Sequence, residues 1–164
     1  MPILVLHYRN NGSAIQKLRM SSLSIPIQKL TLVSYAVNLS KFDGSLASGA
    51  SHKVPDHIIV DIPEIIGQGC NVATPPVSGD DQTYFSTHGI PIPISDDLNT
   101  IQTLGDGLHF DINKKLNREI TIHIKKYDDV TKNIVDMDTT AKNTGECQID
   151  HLLLYFSYDF NGNF

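Results

Sequence analysis

The chain contains no tryptophan, and its two cysteines, Cys70 and Cys147, stand far apart. Two thiols cannot form the disulfide framework that small secreted domains rely on, so the sequence predicts free thiols in a reducing compartment. Charge is scarce as well: charged residues make up 19% of the chain and the net charge is -5. The densest basic run is Lys125-Lys126. That is too short for the clustered basic surface that grips a phosphate backbone, and no specific nucleic-acid binding is expected. Nowhere does an apolar run approach the ~18 residues of a membrane span. The opening Met1-Pro2-Ile3-Leu4-Val5-Leu6 is apolar but lacks the basic flank and longer apolar core of a signal peptide, so secretion by that route is not expected. Helical periodicity is missing too. Residues 14–23, with Ile15, Leu18 and Leu23, come nearest to a 3.6-residue repeat and match it poorly.

What remains is a chain of 164 residues, 40% hydrophobic, with the size of one domain and enough apolar content for its own core. Its clearest signal is alternation. Ile58, Val60 and Ile62 share one face, as do Ile120, Ile122 and Ile124, while Thr121, His123 and Lys125 face the other way. Leu108, Phe110 and Ile112 alternate with His109, Asp111 and Asn113. Period two with one wet face describes half-buried antiparallel strands. The short polar link 114–118 suggests that these last two strands are neighbours.

Longer candidates are Lys29–Ser40 and Ile149–Phe160, the second with Leu152, Leu154, Phe156, Tyr158 and Phe160 on one face. Residues 3–8 are largely apolar on both faces, as in a buried strand or a strand lying between partners. Asn10-Asn11-Gly12-Ser13 then signals a turn. Pro26 marks an edge or a break. Pro91 and Pro93, within Ile90–Ile94, cannot donate to a ladder, so that segment belongs at a sheet edge. Thr83–Ser86 is extended, with a turn at His88-Gly89. Residues 41–54, 64–81 and 128–147 read as loops.

Strands separated by turns, with no helices between them, specify an all-β fold: a two-sheet antiparallel sandwich, an eight-stranded single jelly roll. One domain covers residues 1–164, with 1–14 as an N-terminal strand or arm.

The polar residues do not assemble into a catalytic, cofactor or metal motif. The seven histidines, His7, His52, His57, His88, His109, His123 and His151, form no His-x-His or His-Glu-x-x-His pattern. His109 and His123 fall on the polar faces of strands expected to be adjacent, with Asp111 nearby, and read as solvent-facing. Asp96-Asp97, Asp128-Asp129 and Asp136/Asp138 lack the spacing and bend glycine of a calcium loop and read as turn residues. Cys70, between Gly69 and Asn71, has no local base to activate it. Tyr84-Phe85 could serve for sugar stacking, and packing inside is the plainer reading. No catalytic residue, metal ligand or cofactor is expected.

Three stretches carry a resemblance: Lys29–Ser40; Val54–Pro63, closing in an Ile-Pro step; and Leu108–Ile112 followed by Glu119–Asp129, which runs into an acidic turn before the hydrophobic final strand. Together they are similar to the single jelly-roll minor capsid (penton-type) proteins of virophages, polinton-like viruses and related large double-stranded DNA viruses. Asp128-Asp129-Val130 stands where those proteins usually have Asp-Gly. The resemblance implies a non-enzymatic virion component that forms a homo-oligomer, a pentamer in the family's usual arrangement. It implies contact with the major capsid protein or other capsid subunits. A jelly-roll carbohydrate- or receptor-binding module is the alternative, and a cupin-like metalloenzyme a third.

Overall fold

A computed structural model describes residues 2–20, 27–40, 57–66, 71–74, 85–94, 101–114, 116, 119–128, 133–137 and 148–160. Eleven strands and one single-turn helix follow in the order β1 (Ile3–Arg9), β2 (Ile15–Arg19), β3 (Ile27–Ser40), β4 (His57–Asp61), α1 (Pro63–Ile66), β5 (Asn71–Thr74), β6 (Phe85–His88), β7 (Ile90–Pro93), β8 (Gln102–Lys114), β9 (Glu119–Asp128), β10 (Asn133–Asp136) and β11 (Gln148–Phe160). No helix among the described residues is long and apolar enough to cross a membrane.

The strands form a four-stranded sheet, β1-β11-β3-β8, and a five-stranded sheet, β10-β9-β4-β7, with β2 also on β9. All pairings are antiparallel. Four of them are nested: β1 with β11, β2 with β9, β3 with β8, and β4 with β7. A long ribbon with those pairings, wrapped once, brings β11 against β3 and β9 against β4. That is the jelly roll, and it confirms the two-sheet antiparallel sandwich.

Each sheet turns one face inward. The five-stranded sheet presents β-branched side chains almost exclusively: Ile58, Val60, Ile90, Ile92, Ile120, Ile122 and Ile124. The four-stranded sheet answers with Leu6, Tyr8, Leu30, Leu32, Tyr35, Leu152, Leu154 and Phe156. Phe110 of β8 meets the Phe156 ring edge-on, centroids 6.4 Å apart at 62°, a favoured aromatic geometry. Tyr35 crosses between the sheets and donates its hydroxyl to the Pro93 carbonyl at 3.1 Å. Tyr8 donates to the Ser13 carbonyl at 2.8 Å and so closes the turn from β1 to β2.

Where β4 ends, α1 takes over its edge. Pro63 opens the turn, where its fixed φ suits the first helical position, and the Ile65 and Ile66 amides close on the Ile62 carbonyl. Glu64 then reaches β9. Its carboxylate accepts from the Thr121 amide at 3.0 Å and from the Thr121 hydroxyl at 2.9 Å. A side chain thus fills the ladder position that β4 has vacated.

Several expectations need correction. β1 is an edge strand, not one lying between partners. Residues 15–19 are strand β2, although they carry little period-two signal. The expected loop 64–81 contains α1, with Ile65 and Ile66 buried, and β5, which pairs with β6 as a two-stranded ribbon. The expected loop 128–147 contains β10, paired with β9. β8 and β9 lie in different sheets and are not the neighbours expected. The prolines were a sound guide: β7 is the outer strand of its sheet, and only Ile90 and Ile92 carry the N–H groups that can serve β4. Pro26 and residues 41–54 lie outside the described residues.

Two predictions follow from close contacts. In β8, Leu108 pairs with Leu32 but Thr103 pairs with Ser34, so residues 104–107 bulge opposite a single residue of β3. Gly107 has φ +77, and a Cβ there would stand 2.8 Å from the Leu32 carbonyl oxygen, whereas a Cβ on Gly105 would meet nothing. Gly107→Ala is expected to cost about 2–4 kcal/mol, combining backbone strain with overpacking, against about 1 kcal/mol for Gly105→Ala. Urea denaturation measures both, and equal costs would remove the close approach as the cause.

Burial pushes the Tyr8 and Tyr35 phenols above the ordinary value of 10.0. A raised folded-state pKa adds stability that is present below the unfolded value and lost as pH rises through the folded one. Stability should therefore decline as pH climbs past that ordinary value. Tyr35→Phe should flatten the decline while costing about 0.5–1.5 kcal/mol at neutral pH through the lost hydrogen bond.

Candidate functional site

The outer faces of the two sheets differ. On the five-stranded sheet, Ile59 points away from the core, between Pro91 and Lys125, yet it is fully buried. Gly89, the link between β6 and β7, sits over it. β6 leaves β7 at Gly89 and comes beside β10 at the far side of the same sheet, so the ribbon passes over β4 and β9. Gly89 sits directly on Ile59: a Cβ there would stand 2.5 Å from Ile59 Cγ2. On the same face Lys125 Nζ meets Asp61 Oδ2 at 3.4 Å, with both side chains largely shielded from water. His123 Nε2 meets Asp136 Oδ1 at 2.6 Å. This face is occupied by its own chain.

The four-stranded sheet has no such cover among the described residues. Ile3, Val5, His7 and Arg9 of β1 face outward, next to Ser157, Tyr155, Leu153 and His151 of β11. Ile3 is 59% exposed and Val5 45%. Leu153 and Tyr155 are half-buried, as is Ala36 of β3, which pairs with Leu153. The result is an apolar strip across three strands. His7 and His151 close one end of it. Their rings stack with centroids 5.1 Å apart, and His7 Nε2 lies 2.9 Å from His151 Nδ1, so one ring nitrogen donates to the other. Further across the sheet, Thr31 Oγ1 and His109 Nδ1 are 2.8 Å apart. A row of apolar groups bordered by hydrogen-bonding ones is suited to contact with another macromolecule.

The histidines weighed from sequence are therefore separated. His109 and His123 do not approach each other, because they lie on the outer faces of opposite sheets. Asp111 stands opposite Lys29 on the four-stranded sheet. Asp136 is a strand residue bonded to His123, not a turn residue. Among the described residues no group of three or more His, Cys, Asp or Glu side chains is placed to hold a metal ion. Cys70, Cys147, Asp96, Asp97, Asp129, Asp138 and Tyr84 lie outside the described residues. The His7–His151 pair was not foreseen. The two residues are 144 positions apart, and only the β1–β11 register brings them together.

The contrast between the faces is measurable. Ile59→Ala should cost about 2–5 kcal/mol, the range for a buried isoleucine. Ile3→Ala, although it also lies on an outer face, should change stability by no more than about 0.5 kcal/mol. Similar costs at the two positions would mean that the faces are covered alike. Comparison of the chain with protein-family models, with characterised proteins and with solved structures found no match.

Proposed function

We propose that the chain is a structural subunit of a viral capsid, a minor, penton-type component that self-assembles into a ring, with five copies as the favoured number. Its partners are further copies of itself and the major capsid protein or other capsid subunits, and its place is the virion. The observation that carries this reading is the asymmetry of the two outer faces. One sheet is roofed by the chain's own ribbon, and the other leaves an apolar strip in water that a neighbouring subunit can cover. The jelly roll supports it from a second direction, because this wrapping is recurrent among capsid shells. Lectin domains and cupins share the fold, so the fold alone does not select the function. A closed ring requires two different patches on each subunit. The open sheet face supplies one of the two.

Native mass spectrometry of the purified chain, together with electron microscopy of particles, tests the reading. The expected result is a ring-sized assembly of five chains that is also present in purified particles. A monomer at every concentration, absent from particles, would overturn it.

A further inference from the structure

The two sheets have four edges, and three are closed to another chain. At β7, Pro91 and Pro93 replace the N–H groups that would point outward. At β8 the bulge at residues 104–107 breaks the line. The second edge of the five-stranded sheet, the third of the four, is divided between short β2 and β10, which stand end to end along β9. These are the recognised ways in which proteins blunt exposed strand edges.

β1 has none of them. Its register with β11 runs from Ile3 to Arg9 without a shift. The Asn10 amide donates to the Asp150 carbonyl, and the Tyr158 amide to the Pro2 carbonyl. Those two bonds fix the parity of the ladder: even-numbered residues bond β11, and Ile3, Val5, His7 and Arg9 direct their backbone groups to the open side. At Arg9 that side is already filled. Its N–H donates to Gln16 Oε1 at 3.3 Å and its carbonyl accepts from Gln16 Nε2. Gln16 acts as a plug at one end, leaving Ile3, Val5 and His7 as an uncharged, regular stretch.

We infer that this edge is a docking site for β1 of a second copy of the chain, paired antiparallel about a two-fold axis at Val5. In that register Ile3 of each copy faces His7 of the other, Val5 faces Val5, and every open N–H and C=O on the three residues finds a partner. Strand addition of this kind draws its affinity from main-chain hydrogen bonds. The sequence complements itself, since no charge opposes a like charge. Centring the pair on His7 would demand the backbone of Arg9, which Gln16 holds, so the plug sets the register. The pairing would also join the two apolar strips of Ile3, Val5, Leu153 and Tyr155 into one continuous face. The contact is isologous and closes on itself. It does not depend on the ring assembly proposed above: it uses the backbone edge of β1, whereas the ring uses the side-chain face of the same sheet.

Cysteine cross-linking tests the register. In a directly opposed pair the Cα atoms lie about 5.5 Å apart, within disulfide reach. Ile3 and its own symmetry mate would be separated by roughly 13 Å. Under mild oxidation Val5→Cys should give a covalent dimer, whereas Ile3→Cys alone should not. The native chain controls for links through Cys70 and Cys147. Val5→Lys, at an exposed position, sets two ammonium groups face to face and should halve the native mass with unchanged circular dichroism. Val5 also lies on the face offered to a ring neighbour, so where rings form as well it is the Val5→Cys link that reports the pairing alone, because only the antiparallel β1 register sets Val5 against Val5. Failure of Val5→Cys to cross-link, cross-linking by Ile3→Cys alone, or a disulfide to a different protein would each overturn the inference.

Discussion

A layer of isoleucine and valine packed on a layer of leucine and aromatic rings is the contact on which every other feature of this molecule depends. Ile58, Val60, Ile90, Ile92, Ile120, Ile122 and Ile124 are stiff at χ1 and build an even, ridged surface. Leu30, Leu32, Leu152, Leu154 and Phe156 fill its grooves from the other side. Burial of this kind is strong but has no direction. Direction comes from a few polar groups at the margins: the Tyr35 hydroxyl on the Pro93 carbonyl, the Tyr8 hydroxyl on the Ser13 carbonyl, and the Glu64 carboxylate on Thr121. Each satisfies a backbone group at a place where the regular ladder stops.

The sequence made the inward rows readable because they obey the pleat. Ile58–Ile62, Ile120–Ile124 and Leu152–Phe156 announce strands through alternation alone, and Pro91 and Pro93 place β7 at an edge through the chemistry of the missing N–H. What could not be read is what alternation does not encode. β2 and β10 are short and partly wet on both faces, so they carry little periodicity. A five-residue link such as 114–118 serves equally well to close a hairpin or to cross from sheet to sheet, and nothing in its residues says which. α1 is a single turn whose signal, Pro63 followed by Glu64, is indistinguishable from that of a loop.

The open face was legible only in part. Apolar residues on both sides of Ile3–Tyr8 are consistent with a strand between two partners, yet the structure places that strand at an edge with Ile3 and Val5 in water. Sequence pattern reports how greasy a position is, not what covers it. The same holds for Ile59, which is buried on an outer face where Gly89 sits against it. The His7–His151 pair is beyond any local reading, since it is made by the first strand and the last.

The order β1-β11-β3-β8 has a consequence for biosynthesis. β11 sits in the interior of its sheet, holding β1 on one side and β3 on the other. Until β11 is made, β1 has no partner in this sheet and β3 has only β8. Completion of this layer therefore joins positions as far apart as His7 and His151, 144 residues along the chain, the slow, non-local closure that favours assistance by chaperones.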